Sequence, residues 1–290
     1  MSKNKTILSI YSDGECGAVT FLKGSKLFSE EIYWEDGKSQ SIDLLLLIEK
    51  IIKTANFDTK KEKIDVIIAP KGPSSFTTTR TLLTIAKSFQ FCFPNAEIFA
   101  PSHFHVLAFA AKDEIRCEKS NRLFSKPISS SKVEVAYEAQ NQGVLDEDSS
   151  IDATNKFAEE IELREKSIES EKYFYVLIDA LNNGFYCAFF KLDKNKIVPM
   201  MIEEPAFYDK YSSNIFLEKC KHKVLITNFK NTSNIFDDFK IVKISKNLSE
   251  QQINLYKNGV ENNLECSEFR PFYLHIPDFK KVRSCFHGLF

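Results

Sequence analysis

Residues 72–80, Gly-Pro-Ser-Ser-Phe-Thr-Thr-Thr-Arg, constrain this chain more than any other stretch, because they join two strongly patterned elements. Upstream, residues 64–69 (Ile-Asp-Val-Ile-Ile-Ala) are a short β-branched run that predicts a buried strand. Downstream, Leu82, Leu83, Ile85, Ala86 and Phe89 recur at helical spacing. A strand therefore feeds a helix through a hydroxyl-rich turn, and Ser75 or Thr77 is placed to cap that helix. A helix N-terminus with free N–H donors can hold an anion, but a capped βα connection needs no ligand.

The same reading extends along the chain. Residues 6–34 predict strand, turn and strand, 41–53 a helix, and 96–100 another short strand. Between 112 and 172 the sequence turns to Lys, Glu, Ser, Asn and Asp, with too few apolar residues to offset ordering entropy, so a disordered or loosely helical insertion is expected. Patterning resumes with strands at 173–178 and 185–191, paired across an Asn182-Asn183-Gly184 turn. A strand at 198–202, a helix at 212–220, a strand at 223–228 and a helix at 249–258 follow. Strands alternating with helices imply a mixed α/β fold, and no repeat of solenoid period is present.

Composition limits the function classes. With 290 residues, 43% hydrophobic and 27% charged, the chain can bury a core and has room for two domains. A net charge of -1 offers no global attraction to nucleic acid. Seven cysteines occur without a C-x-x-C pair, which suits reduced thiols in a cytoplasmic protein better than a zinc site or disulfide framework. Residues 1–5 lead straight into a strand, so no leader is expected, and no apolar run is long enough to cross a bilayer.

The turn resembles the G-P-G-S-F-T-G-x-R signature of the TsaB (YeaZ) family, partner proteins in threonylcarbamoyladenosine modification of tRNA. Gly72, Pro73, Ser75, Phe76, Thr77 and Arg80 match in register, while Ser74 and Thr78 replace the second and third glycines. Residues 7–12 resemble the family's opening strand I-L-A-I-D-T-S, and 17–22 the second strand of its hairpin. Residues 102–110 resemble the S-S-L-E-A-L-A piece, 178–188 the I-D-A-R-R-G-E-V-Y-A-A hairpin, and Arg270-Pro271-Phe272-Tyr273-Leu274 the closing R-P-x-Y-L-R. These blocks keep the family's order and cover most of the chain outside the insertion.

The resemblance implies a two-lobed actin, sugar-kinase and Hsp70-like fold with a reduced second lobe: lobes at 1–111 and 173–290, with the charged insertion at 112–172. It implies an accessory subunit of the tRNA-modification complex, binding a TsaD-type transferase, working with a TsaE-type ATPase, and meeting tRNA only through the complex. A second copy is the other candidate occupant of the same face. The subunit alone would bind no cofactor, with ATP or ADP entering at the boundary of the complex. On this reading Leu44, Leu45, Leu46, Ile48 and Ile52 of one helix, with Leu82, Leu83, Ala86 and Phe89 of the other, form the partner interface. The helix at 41–53 is apolar almost all round, more than one sheet-facing stripe requires.

The catalytic inventory is thin. An active member of such a fold needs a carboxylate on its first strand to hold Mg²⁺ against phosphate. Tyr11 stands at the position where the resemblance places it. Asp13 and Asp179 are the acids that a divergent nucleotide-dependent phosphotransferase, the alternative reading, would use; the bland role of each is a hydrogen bond at a turn. Of the five histidines none lie four apart, and His103 and His105 share a side only in extended backbone, so no metal site is expected. No G-x-S-x-G elbow is present. A non-catalytic subunit is the expectation.

Overall fold

The computed structural model describes residues 5–13, 15–34, 40–117, 171–180, 184–209, 224–227, 240–244, 247–261 and 270–271. Strand β1 (Ile7–Ser12) is buried at every position, as expected of a central strand covered on both faces. It pairs antiparallel with β2 (Cys16–Lys23), which pairs with β3 (Lys26–Tyr33). After α1 (Gln40–Thr54), strand β4 (Val66–Ile68) joins the other side of β1 in parallel. Helix α2 (Phe76–Cys92) leads to β5 (Glu97–Phe99), giving the sheet order β3-β2-β1-β4-β5.

The second half repeats this plan. Strand β6 (Glu171–Asp179) is central, with β7 (Gly184–Asp193) antiparallel on one side. On the other lie β10 (Val224–Thr227) and β11 (Lys240–Lys243), both parallel to it. Strands β8 (Met200–Met201) and β9 (Ala206–Asp209) both pair with β7 and take the place of β3. Among the described residues this sheet has six strands against five in the first. The ten residues of β7 are long enough to receive β9 at one end and β8 at the other.

The halves are joined by helices that cross over. Helix α3 (His103–Ala110) follows β5 of the first sheet but places Phe104, Leu107 and Ala108 against Phe174, Val176, Ala188 and Phe190 of the second. Helix α5 (Leu248–Glu261) follows β11 yet packs Ile253, Leu255 and Tyr256 with Ile7, Tyr11, Leu22, Val66 and Phe99 of the first. The opposite face of the first sheet carries Leu8, Ile10, Val19 and Phe21, covered by α1 and α2 through Leu44, Ile48, Ile51, Leu82 and Ile85. Polar contacts register α5: Ser9 Oγ donates to Gln252 Oε1 at 2.7 Å, and the Thr20 and Ser249 hydroxyls lie 2.6 Å apart.

Helix α4 (Lys112–Cys117) carries the helical run past the boundary drawn from composition at residue 112. Ile115 is fully buried in the α3 core, and Lys172 Nζ donates to the carbonyls of Ile115 and Arg116 at 2.7 and 3.0 Å. The rest of the expected insertion, 118–170, lies outside the described residues, as do the expected helix at 212–220, Asn182, Asn183 and the closing Phe272-Tyr273-Leu274.

Candidate functional site: the outer face of α1 and α2, and the closed end of β1

The signature turn is built from inside. Gly72 has φ +104, a conformation that favours glycine, and the Gly72–Pro73 peptide is cis. Ser75 is the N-cap of α2, its Oγ accepting the Thr78 N–H at 3.1 Å, whereas Thr77 is exposed and Ser75 alone does the capping. The hydroxyls of Ser75 and Thr78 lie 2.7 Å apart, and those of Ser74 and Thr79 2.8 Å apart. The two residues that replace glycines thus spend their side chains inside the turn.

His103 ties this turn to the end of β1. Its backbone N–H donates to Gly72 O at 2.8 Å, and Nδ1 lies 2.9 Å from Pro73 O. Nε2 lies 3.1 Å from Ser12 O, and Tyr11 meets the ring edge-on at 5.2 Å. Burial lowers the His103 pKa, with Asp13 and the two carbonyls opposing it. His105, two residues on along a helix, points elsewhere: its Nδ1 lies 2.7 Å from Ser102 Oγ and its ring packs edge-on to Phe190 at 5.5 Å. Burial, then Lys71, lowers its pKa to about 4. The helical backbone therefore separates the two imidazoles.

The end of β1 is closed. Tyr11 is fully buried, burial pushes its hydroxyl well above the usual tyrosine range, and among the described residues that hydroxyl has no hydrogen-bond partner. Asp13 Oδ1 accepts the N–H groups of Glu15 and Cys16 at 3.0 and 2.9 Å, which is the turn role. Asp179 is exposed at the end of β6. Among the described residues no three His, Cys, Asp or Glu side chains are grouped to hold a metal. No helix among them is long and apolar enough to cross a membrane.

Surface chemistry lies on the other side of α1 and α2. Leu44, Ile48, Leu82 and Ala86 are core residues, because each helix turns one stripe onto the sheet. Leu83 is buried, and Ile52 and Phe89 are half-buried. Of the predicted interface set, only Leu45 and Leu46 stand out to solvent, at 47% and 56% exposure. Ile42 joins them at 59%, Phe76 at 36% and Phe91 at 88%. Sequence reasoning left Ile42 and Phe91 out of the set, and their signal was apolar residues lying off the sheet-facing stripe. Between the helices runs a groove of about 490 Å³ with Leu45, Phe76, Thr77 and Arg80 in its walls. The Arg80 guanidinium lies 3.6 Å over the Phe76 ring, and among the described residues it forms no ion pair.

The sequence matches no family model. No curated protein matches it either. Solved structures do share its fold. YeaZ from Pseudomonas aeruginosa superposes with a TM-score of 0.53 at 13% identity, over 93% of this chain and 100% of that one. An uncharacterised protein described as similar to peptidase YeaZ from Pseudomonas aeruginosa gives a TM-score of 0.54 at 13% identity, with the same coverage. At that identity the likeness is one of fold.

Proposed function

We propose that this chain is a TsaB (YeaZ)-type protein with the two-lobed actin, sugar-kinase and Hsp70 architecture, acting as a non-catalytic partner subunit in threonylcarbamoyladenosine modification of tRNA. The observation that carries the reading is a fold likeness to YeaZ over nearly the whole chain, combined with the signature turn seated at the start of α2. The duplicated three-antiparallel, two-parallel sheet with crossing helices supports the architecture. The partner would be a TsaD-type transferase, seated on Ile42, Leu45 and Leu46 of α1 and Phe76 of α2. An acidic group on that partner would meet Arg80, the cation in the groove wall. Exposed apolar side chains of this size on adjacent helices suit the apolar core of an interface.

The phosphotransferase alternative draws no support from the end of β1, where Tyr11 fills the acid's place and Asp13 is engaged in its own turn. Calorimetric titration against the TsaD-type protein of the same organism tests the proposal. A complex is expected, weakened at least tenfold by Leu46→Glu, since a buried unpaired charge costs several kcal/mol. Two well-folded proteins that do not associate would overturn it.

A further inference from the structure

The first sheet ends on β3, and the outer edge of that strand is open. Its register with β2 runs without a bulge from Lys26 to Tyr33, and none of its eight residues is proline. Trp34 N–H donates to Glu15 O at 2.9 Å, one step beyond the Cys16–Tyr33 pair, so residue 34 turns its backbone groups toward β2. Bonding alternates along an antiparallel strand. Lys26, Phe28, Glu30 and Ile32 therefore also turn theirs inward. The N–H and C=O groups of Leu27, Ser29, Glu31 and Tyr33 point away from the sheet, where no strand among the described residues meets them. A long, straight edge of this kind is a template for another strand. Leu27 at 42% and Tyr33 at 67% exposure stand beside it.

We propose that a second copy of this chain occupies the edge, its β3 antiparallel to this one about a two-fold axis at Phe28. An antiparallel pair must oppose outward-bonding residues to outward-bonding residues, which leaves few registers. Centred on Glu30 or Glu31, the pair sets like charges face to face, and centred on Ser29 it sets Phe28 against Glu30. Centred on Phe28, the ring meets its own copy, Leu27 meets Ser29, and Lys26 meets Glu30 on both sides of the axis. The charges fit. Glu30 Oε1 accepts Lys50 Nζ at 2.8 Å, and its second carboxylate oxygen can take the incoming ammonium. Lys26 is exposed and forms no ion pair among the described residues. Leu27 and Ser29 of the two copies exchange about four backbone hydrogen bonds, and the five strands of each copy join in one sheet. Leu45, Leu46 and Phe76 do not enter this pairing, so the inference goes beyond the partner reading and does not depend on it.

Sedimentation velocity of the full chain tests it, over a dilution series under reducing conditions at low and high salt. A concentration-dependent dimer is expected. Leu27→Pro removes an outward N–H and no bond to β2, and weakens that dimer at least about tenfold. Lys26→Glu sets like charges across both Lys26–Glu30 contacts, and weakens it at least about tenfold at low salt and less at high salt. Leu46→Glu, on the outward face of α1, leaves it unchanged. After mild oxidation, peptide mass spectrometry finds Phe28→Cys linked copy to copy, since the axis brings the two Cβ atoms about 4.5 Å apart. Ile32→Cys, which faces Gly24 in this register, forms no such link. A chain that stays monomeric, a dimer that Leu27→Pro and Lys26→Glu leave intact, or no link at position 28 overturns the proposal. A dimer dissolved by Leu46→Glu and not by these two would belong to the outward face of α1 and α2. Lys26 is exposed, so Lys26→Glu carries the test should Leu27→Pro lose its thermal transition.

Discussion

His105 should make folding stability fall with acid, because burial lowers its pKa. Its ring lies against the second sheet, edge-on to Phe190, with Nδ1 2.7 Å from Ser102 Oγ, and that oxygen accepts the His105 N–H at 3.3 Å. Burial holds its pKa at about 4 against 6.5 for the free side chain, so the ring is neutral at pH 7. A base with a lowered folded pKa binds fewer protons folded than unfolded, so its stability is complete above pH 6.5 and is lost as pH falls toward 4. At about 1.36 kcal/mol per unit, the loss is roughly 2 kcal/mol at pH 5 and approaches about 3 kcal/mol below the folded pKa. The test is urea unfolding of wild type and His105→Met at pH 7 and pH 5. Met cannot titrate, and its lost bond to Ser102 is the same at both pH values. His103 titrates in the same direction but cancels in the difference. The gap between the two proteins should shift by about 2 kcal/mol in favour of the variant on acidification. A gap constant to within about 0.5 kcal/mol would refute the neutral buried ring.

Three other substitutions probe the elements around the site. A Cβ on Gly17 would stand 2.3 Å from Trp34 Cη2, so Gly17→Ala should cost about 1–3 kcal/mol in urea unfolding. It should also shift the emission of Trp34, the chain's single tryptophan. Ser75→Ala removes the α2 cap and should lower stability by about 1 kcal/mol, while Thr77→Ala should leave the thermal midpoint unchanged. Tyr11→Phe deletes a buried hydroxyl that has no partner among the described residues and should be neutral or stabilising by up to about 1 kcal/mol in denaturant titration. Destabilisation by Tyr11→Phe would mean the hydroxyl is bonded.

Local patterns carried most of the fold. The β-branched run ahead of the signature, the capped helix after it and the apolar β6–β7 pair emerge within a residue or three of expectation, because each is set by short-range periodicity. Strand β3 was not separated from the strand-turn-strand span at 6–34, because its open side carries apolar Leu27 and Tyr33 while Glu30 shares the half-buried side with Phe28 and Ile32. Val198, expected in a strand, instead turns into the core against Tyr11 and Ile253, leaving Met200 and Met201 to pair with β7. Nor could the sequence show which leucines of α1 are outward. That depends on where the first sheet lies, and Leu44 and Ile48 face it while Leu45 and Leu46 do not. The duplication is invisible for a similar reason: the halves repeat strand order, not residues.

Three of the departures from the TsaB-like pattern fall at one end of α2. Tyr11, Ser74 and Thr78 lie at the end of β1 and in the turn, where Tyr11 packs on His103 and the two hydroxyls bond within the loop. His103 links all of it, joining Ser12 O to Pro73 O and Gly72 O. Those changes close the place where a backbone could approach a ligand. They leave untouched the opposite side of the same helix, where Phe76, Arg80 and Phe91 stand to solvent beside Leu45 and Leu46. Substitutions that sealed a core by chance would have no reason to spare an exposed apolar face, since apolar surface is a liability unless it is covered. The turn therefore reads as a mount: Ser74 and Thr78 bond within it and hold the start of α2 in place, while α2 turns Phe76, Arg80 and Phe91 outward.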